Sequence, residues 1–246
     1  MTSSSKRIAV AVTGGSAGIG AEIAKAFLDE GCEVVILDRA LPVRHHERQH
    51  HVAVDLMDLA ATRAAAADVA QRFDVTRLVH NAGVIRPALV EAAQAEDIAK
   101  LADLHLGSAL VLLQAFLPAM KTDGDGRVVL MSSRAALGVV TRTAYSATKA
   151  AMIGMGRTWA LELAQHGITV NMVAPGPIGS THMFEALVPP ASDVEAKVVA
   201  SIPVKRLGRP ADVANAVRFF ASPQSGFVTG QTLYVCGGAS IGTVPV

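Results

Sequence analysis

Cysteine is almost missing from this 246-residue chain, which has only Cys32 and Cys236, far apart. Neither belongs to a CxxC pair or to a cluster at metal-ligand spacing, which argues against a disulfide framework or a cysteine-based metal centre. Cys32 falls in an apolar strand pattern and is expected to be reduced and buried. Aromatic residues make up only 4% of the chain while hydrophobic residues reach 51%, with abundant Gly and Ala. That balance suits helices packed closely on a sheet more than an aromatic-rich binding module. Charge of either sign is not in excess, since 22 basic and 21 acidic residues leave +1. Without a global field to draw nucleic acid or an anionic membrane, any partner must be recognised locally. Long apolar runs are lacking too. The longest, 104–120, is interrupted by His105, Gln114 and Pro118 and reads as a buried helix rather than a membrane span. The opening MTSSSKR has neither the apolar core nor the cleavage site of a secretory signal, so a cytoplasmic location is the expectation. There is no internal repeat, and the alanine run at 64–67 fits an ordinary helix.

What is present is a regular alternation of short apolar runs and longer helical patterns. Strands are expected over 8–12, 33–37, 51–54, 77–80, 127–131, 168–173 and 233–235, and helices over 18–30, 59–73, 95–120, 145–165 and 210–221. The strand runs are nearly continuous in Val, Ile and Leu, as strands covered on both faces by helices should be. The expectation is an α/β fold, a single-domain doubly wound parallel sheet of about seven strands with helices on both faces, Rossmann-like, occupying 1–246. The tract RHHERQHH at 44–51 holds four histidines but no defined coordination pattern, and is read as a solvated loop with no metal.

Three groups of residues carry chemistry. Tyr145 and Lys149 stand four apart in TAYSATKA, which puts phenol and ammonium on one helix face. A nearby cation favours the phenolate and makes such a tyrosine a general acid or base, although an ordinary amphipathic helix can carry the same pair. The second group is Thr13-Gly14-Gly15-Ser16-Ala17-Gly18-Ile19-Gly20, directly after the first strand and before a helix. Glycines there allow a tight turn and a close approach of pyrophosphate to the helix start. The third is Asp38, ending the second strand, where a carboxylate can accept hydrogen bonds from an adenosine ribose and repel a 2'-phosphate. Ala17 supplies no cation to balance such a phosphate, so NAD(H) is favoured over NADP(H), while Arg39 keeps the question open. Asp55 and Leu56 after the third strand, and Asn81, Ala82 and Gly83 after the fourth, fall on the same crevice edge.

These motifs together resemble the short-chain dehydrogenase/reductase family over 8–238: TGGSAGIG, Asp55, NAG, Ser132-Ser133, YSATK, APGPI at 174–178 and RLGRPADVA at 206–214. The resemblance implies hydride transfer between NAD and an alcohol or ketone substrate. In it Tyr145 exchanges the proton, Lys149 binds the nicotinamide ribose and lowers the tyrosine pKa, and a serine hydroxyl orients the substrate oxygen. Counting from Gly126 along the fifth strand indicates Ser133, while counting back from Tyr145 indicates Ser132; strand register favours Ser133. Backbone at Pro175, Gly176 and Ile178, with the hydroxyl of Ser180 or Thr181, is implied at the nicotinamide amide. His105 stands where the family usually has an asparagine. It either preserves a relay through its backbone carbonyl, joins proton transfer by titrating near working pH, or is simply a buried, hydrogen-bonded histidine. The stretch 179–206, with Met183, Phe184, Leu187, Val188 and Pro189-Pro190, is expected to form an apolar substrate lid. His182, Glu185, Arg134, Arg142 and Arg86 are possible polar contacts to the substrate or plain surface residues. Apolar helix faces at 101–120 and 150–163, and the family's habit, imply a homotetramer. The alternatives are an NADP(H)-dependent carbonyl or ketoacyl reductase, and a non-catalytic dinucleotide-sensing protein.

Overall fold

The computed structural model describes residues 6–241. Residues 1–5, most of the stretch read above for a secretory signal, and 242–246 lie outside the described residues. Seven strands, β1 (Arg7–Thr13), β2 (Glu33–Asp38), β3 (Gln49–Ala53), β4 (Phe73–His80), β5 (Arg127–Met131), β6 (Thr169–Pro175) and β7 (Thr232–Val235), form one sheet in the order β3-β2-β1-β4-β5-β6-β7. All neighbouring pairs are parallel. The strand order reverses between β1 and β4, and the crevice this opens at the C-terminal strand ends is where open α/β sheets bind ligands. Around the sheet lie α1 (Gly18–Asp29), α2 (Leu59–Arg72), α3 (Ala95–Ala102), α4 (Ser108–Asp123), α5 (Thr143–Leu163), α6 (His182–Glu185), α7 (Asp193–Ser201) and α8 (Pro210–Ala221).

The continuous apolar strands divide by parity. Val10, Val12, Val34, Ile36, Val79 and Val129 pack under α1 and α8, while Ala9, Ala11, Val35, Leu37, Leu78 and Val128 face α2, α4 and α5. With both faces buried, successive positions through the middle of β1 and β2 are apolar.

Several expectations need correction. The helix expected over 95–120 is divided: α3 ends at Ala102, Asp103–Gly107 forms a π-helical turn, and α4 follows. The wide turn frees the Leu104 carbonyl, which accepts from His80 Nε2 at 3.2 Å and Ser108 Oγ at 2.5 Å. β4 starts at Phe73 instead of Arg77, because the register against β1 slips between Ala9 and Val10 and buries the polar Thr76 within the strand. His50 and His51 are not in a solvated loop: they belong to β3, where His50 Nε2 meets Glu33 Oε2 at 2.5 Å and His51 Nε2 donates to the Asp38 carbonyl at 2.9 Å. Cys32 lies in the turn before β2 and is only half-buried, although that burial still pushes its thiol pKa up. The 95–123 stretch is long and apolar enough to cross a membrane by length and composition; half of its most apolar window is buried in this fold.

Arg127 anchors the opposite edge of the sheet. Only 2% exposed, its guanidinium donates to the carbonyls of Gly126, Gly167, Ser222 and Pro223 and pairs with Asp125. An Arg127→Leu variant strands these acceptors and is expected to lose about 3 kcal/mol of stability. The measurement is the midpoint of urea unfolding at unchanged slope; an unaltered midpoint would contradict the anchoring role.

Candidate active site

The glycine turn is built by close approach. Gly14 takes φ +62°, and a Cβ on Gly20 would stand 2.0 Å from the Gly14 carbonyl oxygen, so the turn folds back onto the helix only if residue 20 has no side chain. Asn81 Nδ2 donates to the carbonyls of Thr13 and Gly14 at 3.1 Å each and ties the turn to the end of β4. Helix α1 begins at Gly18 with no side-chain cap and no acid in its first turn. The first amides, at Gly18, Ile19 and Gly20, have no partner within the helix and keep its positive end open to an anion. This donor set fits a dinucleotide pyrophosphate.

Asp38 has a structural task as well. Its Oδ2 accepts from the Ser16 amide at 3.1 Å and its Oδ1 from the Ala40 amide at 3.0 Å, while Ser16 Oγ donates to the Ala40 carbonyl at 2.6 Å. The carboxylate thus binds the glycine turn to the loop after β2 and keeps lone pairs for a ribose hydroxyl. Arg39 is exposed beside it. Asp55 is exposed and accepts from the Met57 amide at 3.0 Å, and Leu56 is buried. Ala82 is buried and Gly83 half-buried.

Helix α5 starts at Thr143, so Tyr145 sits in its first turn and Lys149 one turn further on. The hydroxyl that acts on the Tyr145 phenol is that of Ser133, which draws its pKa down, and Ser133 Oγ also accepts from the Ala135 amide at 3.1 Å. Ser132 Oγ turns the other way and donates to the Lys149 carbonyl at 2.8 Å. The buried Lys149 Nζ donates to the Met131 carbonyl at 2.7 Å, lies 3.6 Å from Met152 Sδ and stands 5.6 Å from the centre of the Tyr145 ring. Desolvation lowers the Lys149 pKa to about 7. Burial raises that of Tyr145, opposed by the Ser133 hydrogen bond and the Arg142 charge. The expectation that Lys149 lowers the tyrosine pKa is therefore not met by this arrangement: the ammonium points below the ring to a carbonyl, and desolvation outweighs the favourable contacts.

His105, on the π-helical turn, is fully buried, with Nδ1 2.9 Å from Thr148 Oγ1 and its ring edge-on to Tyr145 at 5.7 Å. Burial and the charges of Lys149 and His80 push its pKa far below the ordinary histidine value. That environment favours the neutral imidazole over one that titrates near working pH. His80 and Thr13 complete the core of the site, although the sequence offered Thr13 only as the start of the glycine turn and gave His80 no part in the chemistry. His80, lowered by burial to about 3, links Thr13 Oγ1 at 3.1 Å to the Leu104 carbonyl. Thr13 Oγ1 in turn accepts from the amides of Asn81 at 2.9 Å and Ala82 at 3.0 Å. The only signal in the sequence was a polar residue at the end of each of two apolar strands.

The end of β6 and the segment after it flank the glycine turn. The Gly176 amide donates to Val235 O, Ile178 is buried, and the Gly208 amide donates to Pro177 O at 3.0 Å. Thr181 Oγ1 donates to the Ile178 carbonyl at 3.0 Å, and the Thr181 methyl group is 3.5 Å from where a Cβ on Gly18 would stand. Thr181, packed over the glycine turn, caps α6; Ser180 precedes it at φ +56°. The expected lid contains α6 and α7, with Met183 and Leu187 exposed and His182 and Glu185 on the surface of α6. Arg142 donates to Thr141 Oγ1 at 2.5 Å, Arg86 faces Asp97 at 3.9 Å, and Arg134 is half-buried in the turn after Ser133. Among the described residues, no group of three or more His, Cys, Asp or Glu side chains is placed to hold a metal.

The buried ammonium has a consequence for stability. The folded-state pKa of Lys149, about 7, lies below the ordinary lysine value of 10.5, so the unfolded chain binds the extra proton and stability rises with pH between those values. Below pH 7 the penalty is fully present. Lys149→Met is therefore expected to stabilise the ligand-free protein at pH 6 by on the order of 3 kcal/mol, a gain that fades toward pH 10. Thermal unfolding across that pH range checks it; a gain independent of pH would refute it.

A family model described as enoyl-(acyl carrier protein) reductase matches residues 14–240. The (2S)-((R)-hydroxy(phenyl)methyl)succinyl-CoA dehydrogenase subunit BbsD of Thauera aromatica is 37% identical over 240 residues, 94% of this chain and 95% of that protein. The 3-oxoacyl-(acyl-carrier-protein) reductase FabG of Escherichia coli is 33% identical, covering 92% and 95%. Among solved structures, a Beutenbergia cavernae chain described as an NAD(P)-dependent gluconate 5-dehydrogenase with NADP bound at low occupancy superposes with a TM-score of 0.87 at 33% identity, over 98% and 99% of the two chains. With the glycine turn, the Ser133, Tyr145 and Lys149 set and the parallel sheet that carries them, these matches make the chain an oxidoreductase of the short-chain dehydrogenase/reductase family.

Proposed function

We propose that the protein moves a hydride between NAD(H) and a secondary alcohol or its ketone, with Tyr145 as general acid or base. The observation that carries this reading is the meeting, at the C-terminal edge of the sheet, of an uncapped helix start with a half-buried Ser133 and the buried Tyr145 and Lys149. A bound dinucleotide supplies or accepts the hydride. The amides of the glycine turn would hold its pyrophosphate, Asp38 a ribose hydroxyl, and the backbone from Pro175 to Ile178 with Thr181 the nicotinamide side. In the reducing direction Ser133 and Tyr145 donate hydrogen bonds to the carbonyl oxygen, and Tyr145 releases its proton as the alkoxide forms. Lys149 would hold the nicotinamide ribose, with its ammonium 5.6 Å from the centre of the phenol ring. An anionic ligand near that ammonium favours its protonated form. The exposed Leu110 and Leu161, on the helices offered as an interface by the sequence, support a homotetramer.

A second reading, an NADP(H)-dependent reductase of 3-oxoacyl thioesters, is favoured by Arg39 beside Asp38 and by the acyl-thioester enzymes among the relatives. Cofactor affinities separate the two. NADH is expected to bind at least about tenfold more tightly than NADPH, and Asp38→Ser to shrink that gap by about 1 kcal/mol or more. Fluorescence titration with both reduced dinucleotides is the measurement, and tighter NADPH binding by the native chain would replace the first reading with the second. For the chemistry, Tyr145→Phe is expected to lower kcat by roughly a hundredfold or more while leaving the NADH dissociation constant within about twofold. The assay follows nicotinamide absorbance with a panel of hydroxy acids, sugars, polyols and acyl-thioester ketones. An unchanged rate in this variant would sink the role given to Tyr145, and inertness of the native chain across the panel despite NADH binding would favour a dinucleotide sensor.

A further inference from the structure

We propose that His105 is a positioning residue for Lys149: a neutral imidazole that keeps its own proton on the Thr148 side and offers the bare Nε2 lone pair to the lysine ammonium. The inference rests on the role given to Lys149 above.

His105 Nε2 is one of three buried side-chain polar atoms without a hydrogen-bond partner among the described residues, with Ser146 Oγ and Thr169 Oγ1. The other two are hydroxyls that can rotate; an imidazole nitrogen is fixed by its ring, and an orphan of this kind calls for an explanation. The tautomer follows from the other side of the ring. Thr148 Oγ1 lies 3.0 Å from the Ala144 carbonyl and 3.1 Å from that of Tyr145, so its hydrogen already has acceptors within α5. Its lone pairs are then free to accept from His105 Nδ1–H at 2.9 Å, which leaves Nε2 without a proton. The reverse tautomer would aim a buried N–H at a cation.

Nε2 and Lys149 Nζ converge on the same gap. A Cβ on Gly83 would stand 3.0 Å from Nε2 and 3.4 Å from Nζ, so the absent side chain at residue 83 keeps open the space between them. Lys149 has three N–H donors but meets one oxygen, that of Met131, and one weak acceptor, Met152 Sδ. A surplus donor and a surplus acceptor therefore face each other across a glycine. A modest swing of the flexible lysine brings them into contact, and the hydrogen bond so formed holds the proton on Lys149 while Tyr145 gives up its own. No proton passes to His105. The titratable groups facing this pair are Tyr145 on α5 and His80 on β4. On the neighbouring α3 and π-helical turn, Glu96, Lys100 and Asp103 are exposed and Asp97 faces Arg86.

Two substitutions at 105 isolate the nitrogen. Glutamine carries an amide at about the reach of Nε2, whereas asparagine reaches only as far as Nδ1. NMR titration of isotope-labelled lysine in the ligand-free protein is expected to show the Lys149 pKa about one unit lower in His105→Asn and close to native in His105→Gln. In carbonyl reduction the alkaline limb of kcat should shift down by a similar amount in His105→Asn, with KM nearly unchanged. Thr148→Val leaves residue 105 in place and frees the ring to carry its proton on Nε2, so it should lower the Lys149 pKa as His105→Asn does. A native Lys149 titration in either His105→Asn or Thr148→Val overturns the proposal. Because this titration needs no turnover, a shifted lysine in a protein inert toward every carbonyl would sustain the proposal and count only against the function proposed above.

Discussion

Lys149 carries a positive charge into the interior with one carbonyl to meet it, and the C-terminal half of the crevice is arranged around that fact. The Met131 carbonyl is available because β5 ends there, and Ser132 uses its hydroxyl to hold the Lys149 backbone at 2.8 Å. Ser133, on the other side of the strand end, is left to Tyr145. A single alternation of side-chain direction just past the end of β5 thereby separates a residue that fixes the lysine from one that faces Tyr145. The ammonium has lost its water without gaining a carboxylate, and such a group is poised to change its proton affinity when an anion or hydroxyl comes within reach.

The glycine turn works by the opposite principle. It leaves amides unpaired at the start of α1 and then prevents any side chain from filling the place, with Gly20 pressed against the Gly14 carbonyl and Thr181 closing from the lid. Asp38 and Asn81 hold the turn from two strands at once, so its shape does not depend on a ligand being present. One end of the crevice therefore offers donors without acceptors, and the other a buried ammonium with a single oxygen to meet it.

The parallel sheet was legible because double burial writes itself as unbroken Val, Ile and Leu runs, and the glycine turn because Gly spacing after a strand has few other uses. Tyr145 and Lys149 were legible as a spacing, and the serines as a question of strand register. What could not be read is what local sequence does not encode. The π-helical turn in 103–107 has no composition of its own, and without it His105 and the Leu104 carbonyl have no defined direction. Thr76 inside β4 and His50 in β3 broke the apolar pattern and concealed strand residues that are held by register and by Glu33. The direction of the Lys149 ammonium was likewise invisible, because it is set by where β5 stops and not by the four-residue spacing to Tyr145.

The hydrogen-bonded file from the Leu104 carbonyl through His80 and Thr13 to the amides of Asn81 and Ala82 runs directly behind this site. Its two ends leave it no freedom: a carbonyl can only accept and an amide can only donate, so His80 must carry its proton on Nε2 and Thr13 must point its own at Nδ1. A file with a single permitted arrangement of protons conducts none. It is a fixed wall of settled protons, standing between the buried Tyr145 and Lys149 and the glycine turn.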